Sequence, residues 1–439
     1  MRRVGYWLSE KKRKKLNFDD FREEWRLTGL ELVQIDLSKP LEEQGPFDVI
    51  LHKLTDVVAK SDEGDIKSQR MLTNLEDYIR SHPTVIVIDP LQSVRKLLNR
   101  HISYKLVQDC SVSFQDTYPA VGTPNFVKIE TTDKNEILRL MNSAQVEFPI
   151  VCKALQGHGS SLSHMMAIIF NEDGLKDVKP PCVAQTFIKH NAKLYKLYVI
   201  GDYHFSVERP SLKNFTAGDK TTIFFDSHDV SKATSSSFLN ELDDSDLDLL
   251  EDLPPCWDTL SALVYSVRSR LGMDLFGIDV IVENDTRRHA VIDINAFPGY
   301  DGVSMFFQVL LAHFHKLLGN EKQSQDIMEE VTKTANFIKS CSKGDAGKKQ
   351  ENGSSCNNDS GGTERRQQGE LSQSCKKLKL GGSAAQDRGH ELEKIDGGCA
   401  LKTNTSLCCS NLNSEKTEIK TADSNHISQQ ADQLSNCPV

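Results

Sequence analysis

The sequence predicts a mixed α/β and α+β protein, with an N-terminal α/β domain at one end and a disordered C-terminal tail at the other. Strand-like and helix-like segments alternate as far as residue 90. Two β-branched runs between Phe276 and Gly299 carry oxygen-bearing side chains at strand spacing. Apolar periodicity then stops near residue 340, where Ser, Asn, Gly, Lys and Gln take over and the entropy of ordering would go uncompensated. A chain of 439 residues has room for two or three domains and a substantial core.

In chain order, Arg3–Leu8 reads as a strand, and Asn17 can cap a helix whose Phe18, Phe21 and Trp25 share a face before Gly29 ends it. Strands follow at 30–37 and 47–51. A helical stretch is interrupted near Gly64 and resumes with Leu72, Leu75 and Ile79, and Thr84–Asp89 is an apolar run closed by Pro90. These elements make up a domain over 1–90. Residues 91–110 look helical, Phe148–Lys153 is a clear strand, and 194–226 is mostly strand with a turn at Gly201–Asp202. The acidic stretch 241–252 reads as a solvated linker, Pro254 and Pro255 start a helix that Gly272 stops, and Met305–Leu318 is expected as the last ordered helix. Its His313 and His315 read as surface or packing residues rather than ligands.

Composition narrows the function classes. A formal net charge of -9 argues against a protein built mainly to bind nucleic acid. Of 11 cysteines, seven lie beyond residue 340, and Cys110, Cys152, Cys182 and Cys256 have no metal or redox spacing, which points to a reducing, cytoplasmic compartment. No secretory signal precedes Val4 and the apolar runs are too short for a membrane span.

Chemistry is legible first in the paired runs. Gly277–Val282 places Asp279 in the middle of a β-branched strand, and Ala290–Asn295 puts Asp293 and Asn295 two residues apart, on one face. The polar turn 283–288 suggests a hairpin that gathers the three side chains. Each Asp could instead pair with a basic residue or face water. Three hard oxygen donors on one patch favour Mg²⁺ or Mn²⁺ over zinc, and magnesium with phosphate ligands points to ATP chemistry. Lys153 and Lys196 sit inside apolar runs, where each could meet an anion or snorkel to an edge. Gly157–Ser161 follows the Lys153 strand and could cradle phosphate or form a plain turn. The basic run Lys11–Lys15 could be a solvated face or a localisation signal, or, lying at the carboxyl end of a strand, could join His52, Lys53, Arg209 and Lys213 as cations that collect a polyanion.

The order of lysine strand, glycine-rich loop, second lysine and Asp279 with Asp293–Asn295 resembles the ATP-grasp fold. More closely, Val4–Lys12, Leu51–Asp56, Arg209–Phe215 and Val291–Tyr300 resemble the inositol-tetrakisphosphate 1-kinase family, over about residues 3–320. The resemblance implies an N-terminal inositol-phosphate-binding domain over 1–90. It implies a helical bridge and first ATP-grasp lobe over 91–190, a second lobe with the metal site over 191–325, and the tail over 340–439. It further implies that Lys12, Lys53, His164 and Lys196 hold inositol phosphate, with Asn295 and Gly299 beside it. Arg100, Lys153, Gln185, Ser211, Ser227 and Ser231 would meet ATP, with Gln185 opening an inter-lobe segment that runs to Lys196 and reads adenine. Asp279, Asp293 and Asn295 would bind Mg²⁺, as two ions.

The activity implied is transfer of the ATP γ-phosphoryl group to inositol polyphosphates. The expected acceptors are the 3,4,5,6-tetrakisphosphate at position 1 and the 1,3,4-trisphosphate at positions 5 or 6. The expected enzyme is a cytoplasmic monomer whose partners are inositol polyphosphates and ATP, with no nucleic acid and no membrane span. Two other readings are an ATP-grasp carboxylate–amine ligase, which need not have the Lys12 and Lys53 cluster, and a non-catalytic adaptor that uses the basic run and tail.

Overall fold

A computed structural model describes residues 1–111, 119–159, 161–247, 254–344 and 406–407. Its first sheet contains β1 (Arg2–Trp7), β2 (Leu30–Gln34), β3 (Val49–His52) and β4 (Ile86–Ile88), all parallel, in the order β2-β1-β3-β4. Alternation along the strands divides the packing. Val4, Tyr6, Val49 and Leu51 face one core, which they share with the helix Phe306–Leu317. Ile50 faces the other, beneath helices Thr55–Asp62 and Ile66–Ser81. The N-terminal unit is therefore covered on one side by the last part of the chain, which brings the carboxyl ends of β1 and β3 next to residues 297–301.

The sequence expectation of one helix capped by Asn17 is corrected. Ser9 caps a separate helix, Glu10–Leu16, by accepting from the Lys12 amide, and Asn17 ends it in the left-handed conformation at φ 50°. A 3₁₀ turn at Phe18–Phe21 and a helix at Arg22–Leu27 follow. Five consecutive cations still form a helix because Glu10 lies in its first turn and Arg13, Lys14 and Lys15 in its last, each complementing the helix dipole. Lys12 alone among the five is buried.

The remaining strands are β5 (Val121–Gly122), β6 (Phe126–Ile129), β7 (Ile150–Ala154), β8 (Met165–Ile169), β9 (Cys182–Thr186), β10 (Lys193–Ile200), β11 (Tyr203–Pro210), β12 (Ile223–Asp226), β13 (Leu275–Val282), β14 (His289–Ala296) and β15 (Ser406–Leu407). They form an antiparallel sheet in the order β12-β8-β7-β9-β6 and a second one in the order β15-β11-β10-β13-β14-β5, in which only the β14–β5 pairing is parallel. The outer face of the second sheet packs on helices 91–98, 100–111 and Trp257–Leu271 through Leu197, Phe276, Ile278 and Ile294. Gly201 turns β10 into β11 at φ +57°, and a side chain there would meet His313 Nδ1 at 2.1 Å.

The end of the chain also differs from expectation. His313 and His315 are buried packing residues, and the helix holding them is followed by a further one, Glu321–Gly344. Its Ile327, Met328 and Val331 join the core shared with β1 and β3. Only a narrow apolar stripe marks that helix, so the onset of polar composition near 340 did not mark its end. Of the expected tail, residues 340–344 belong to this helix and Ser406–Leu407 pair with β11, while the rest lies outside the described residues. Asp244–Leu247 within the acidic stretch is a short helix, and 248–253 are outside the described residues. Among the described residues no helix is long and apolar enough to cross a membrane.

Candidate active site

The hairpin of β13 and β14 sets Asp279 directly opposite Asp293, with a bulge beginning after Asp279. On the other side of β13, Lys196 of β10 is in register with Asp279. Residues paired across a ladder share a face, so a row of Lys196, Asp279 and Asp293 crosses the sheet, with Asn295 two residues further along β14. Lys196 Nζ lies 2.8 Å from Asp279 Oδ2, and Asn295 Nδ2 donates to Asp293 Oδ2 at 3.3 Å. Burial raises the Asp279 carboxyl above its usual range, with Lys196 opposing and Asp293 adding to the shift.

Facing this row is Lys153 of β7, fully buried and donating to Tyr104 Oη at 2.9 Å and to the Ile292 carbonyl at 2.8 Å. Burial lowers its pKa to about 8. Arg100 donates to the carbonyls of Ala154 (2.7 Å) and Ser163 (3.0 Å), while its Nε lies 3.9 Å from Asp293 Oδ1 with no hydrogen-bond partner. A buried guanidinium with one unsatisfied N–H is costly unless an anion or water meets it. Tyr104, one turn along the same helix, also donates to Gln185 Oε1 at 2.7 Å.

Between the two antiparallel sheets Arg100, Lys153, Gln185, Lys196, Asp279, Asp293 and Asn295 line a cleft. Apolar Val151, Met166, Phe187, Leu212, Phe225 and Ile281 form much of its wall. Ser211, Ser227 and Ser231 lie at the same wall. Ser211 shares a hydrogen bond with His190 Nε2 at 2.7 Å, and burial lowers the His190 pKa to about 4, leaving it neutral. His164 lines the cleft and sits against His228, ring centroids 3.8 Å apart. An apolar slot ending in convergent charged groups suits a flat heterocycle with a phosphate chain.

Beyond Asn295 the chain turns through Phe297 and Tyr300, both with positive φ (41° and 53°). Here Lys12 donates to the Phe297 carbonyl at 3.1 Å and to that of Pro298, and Lys53 donates to the same Phe297 carbonyl at 2.9 Å. Burial, then Lys53 and Lys15, pull the Lys12 pKa well below its ordinary value; Lys53 is lowered to about 8, chiefly by burial. Gly299 faces Lys15: a Cβ at 299 would meet Lys15 Nζ at 2.8 Å.

The sequence-derived residues thus fall into two groups. Arg100, Lys153, His164, Gln185, Lys196, Ser211, Ser227, Ser231, Asp279, Asp293 and Asn295 line one cleft. Lys12, Lys53 and Gly299 gather around residues 297–299, just past Asn295. Sequence reasoning missed Tyr104, His190 and His228. Tyr104 had a usable signal, since it lies four residues after Arg100 on a helix and shares its face. His190 lies within the segment Gln185–Lys196 but was not singled out there, and His228 had no signal.

The donor set fits a hard divalent ion. Two carboxylates and an amide oxygen offer oxygen alone, and an ion beside Asp279 and Asp293 would relieve the repulsion between them. Among the described residues no three His, Cys, Asp or Glu side chains cluster as a zinc site would require.

Comparison with known proteins matches residues 115–316 to the inositol 1,3,4-trisphosphate 5/6-kinase ATP-grasp domain and residues 3–94 to the pre-ATP-grasp domain of the same enzymes. An inositol-tetrakisphosphate 1-kinase from Xenopus laevis is 47% identical over 325 residues, covering 74% of this chain and 81% of that one. One from Danio rerio is 46% identical, covering 72% and 79%. Inositol-tetrakisphosphate 1-kinase 3 from Glycine max is 36% identical, covering 73% and 85%.

Proposed function

The chain belongs to the inositol 1,3,4-trisphosphate 5/6-kinase family, with its ATP-grasp fold, and from that premise we propose that it transfers the γ-phosphoryl group of ATP to inositol polyphosphates. The acceptors are the 1-hydroxyl of the 3,4,5,6-tetrakisphosphate and the 5- or 6-hydroxyl of the 1,3,4-trisphosphate. The observation that carries this is the junction at Asn295. On one side lies an apolar cleft ending in Arg100, Lys153, Asp279 and Asp293, and on the other Lys12 and Lys53 converge.

In this reading the adenine lies among the side chains of Gln185–Lys196, and Ser211, Ser227 and Ser231 meet the nucleotide. Lys153 and the unsatisfied Nε of Arg100 take the phosphates. Asp279, Asp293 and Asn295 would hold two Mg²⁺ ions, which when bound neutralise charge on the transferring group. Lys12, Lys53, His164 and Lys196 orient the inositol phosphate so that one hydroxyl lies in line with the γ-phosphorus, beside Asn295 and Gly299. Phosphoryl transfer needs little more from a protein than such positioning and charge neutralisation. The reading takes the enzyme as a cytoplasmic monomer.

A carboxylate–amine ligase would use the same nucleotide side but has no need of Lys12 and Lys53. Incubation with ATP, Mg²⁺ and a panel of inositol tris- and tetrakisphosphates, with products identified by mass, tests the proposal. Gain of one phosphoryl group by the inositol is expected. ATP consumption without it overturns the reading.

A further inference from the structure

The cations around 297–301 already have partners, which the turn itself supplies. Lys12 and Lys53 are drawn to main-chain carbonyls of Phe297 and Pro298. Lys15 Nζ lies 2.9 Å from Asp301 Oδ2, and Arg209 Nη2 donates to the Asp301 carbonyl at 2.6 Å. Asp301 is thus the anion that meets this basic cluster from the turn, and its carboxylate also acts on Lys12. The turn is fixed independently of these ion pairs: Tyr300 donates to the Val199 carbonyl at 2.8 Å and its ring stacks on Phe306. Lys15 and Asp301 are about half exposed, at 50% and 53%, so their pairing adds little to the fold and is easily exchanged.

We propose that Asp301 is an internal stand-in for a substrate phosphate. Its carboxylate holds Lys15 beside Gly299, and its carbonyl holds Arg209, until a phosphate group of the inositol takes the place of both. Lys15 and Arg209 then become further phosphate contacts, and Asp301 sets substrate affinity by competing for them. The inference rests on the kinase reading and deepens it. A doubly charged phosphate outcompetes one carboxylate for Lys15 and one main-chain carbonyl for Arg209, whereas a singly charged ligand does not, so Asp301 also discriminates against weakly charged sugars.

The test is binding of inositol hexakisphosphate without ATP, measured by calorimetry on the full chain at low and high salt. Asp301→Asn is expected to bind about fivefold more tightly than wild type at low salt, with the gain shrinking at high salt. Lys15→Ala is expected to bind about fivefold more weakly, Lys15→Arg to restore binding, and Asp301→Asn to change little once Lys15 is Ala. In turnover, the Asp301→Asn effect falls on the KM for the inositol phosphate rather than on kcat. Equal or weaker binding by Asp301→Asn, or a gain that persists without Lys15, overturns the proposal and leaves Asp301 an ordinary surface pair. Failure of the kinase reading looks different. Wild type would then leave the inositol panel unphosphorylated, whatever its affinity for the hexakisphosphate, and wild type that binds none of it would refute both.

Discussion

Lys196 and Lys12 are both largely buried lysines near Asn295, yet they meet different partners. At Lys196, burial alone would lower the pKa, but Asp279 at 2.8 Å outweighs it and the pKa is raised. Lys12 hydrogen-bonds to main-chain carbonyls, and burial together with Lys53 and Lys15 outweighs the Asp301 carboxylate and leaves its pKa well below the usual value. The metal side is therefore a set of charges already paired within the protein, part of the architecture as much as of the site. The inositol side is a set of cations in excess, held at a cost that a polyanion would remove. Variants on the two sides should fail in different ways.

The largest effect is expected at Asp293, whose carboxylate lies beside the Asn295 amide and the Arg100 guanidinium. Asp293→Ala should fold, with its circular dichroism retained, and lose at least about 10²-fold in kcat, the scale of removing one electrostatic contributor to a transition state. Near wild-type turnover at saturating Mg²⁺ would remove Asp293 from the metal set.

Next comes a difference in stability. Lys196→Met strands Asp279, a buried carboxylate, and should cost about 2 kcal/mol of unfolding free energy, after discounting for the fifth of the lysine side chain that is exposed. Lys12→Met removes a cation for which burial and the neighbouring Lys53 and Lys15 outweigh the one nearby carboxylate, Asp301, and should be neutral or stabilising. Denaturant melts of the two variants decide it, and equal losses would erase the distinction between the two sides.

How far the molecule could be read from its sequence follows the same division. The β13–β14 hairpin was legible because a carboxylate within a β-branched strand is anomalous, and period-two spacing dictates which side chains share a face. On the inositol side the basic run could be read from its place at a strand end, but the one lysine that turns inward could not, because Lys12 differs from its four basic neighbours only in direction. That direction comes from a helix capped by Ser9, which a run of like charges concealed. Resemblance, not periodicity, singled out Lys12. His228 was invisible because what brings it to the cleft is long-range packing, which leaves no local trace. The helix Glu321–Gly344 was missed because its apolar face is narrow, with Ile327, Met328 and Val331 alone among its described residues joining the core.

A third prediction separates substrate from nucleotide. Lys12→Ala combined with Lys53→Ala should raise the KM for the inositol phosphate by at least about tenfold and flatten its salt dependence, with ATP affinity little changed. A fall in ATP affinity instead would mean that the two sides are assigned the wrong way round.

The smallest effect is in pH, and its sign follows from Lys53. Its pKa in the free protein is lowered to about 8, so the ammonium is present below that pH and is lost above it. A bound polyanion favours the ammonium, so substrate affinity should be full near pH 7 and fall as pH rises through 8, by about fourfold at pH 8.5. The substrate's own phosphates gain negative charge over the same range and act in the opposite direction. Lys53→Arg separates the two, because a guanidinium stays charged throughout and leaves only the substrate's titration. If affinity falls equally in wild type and Lys53→Arg, the loss belongs to another group, and Lys53 is not one of the cations in excess.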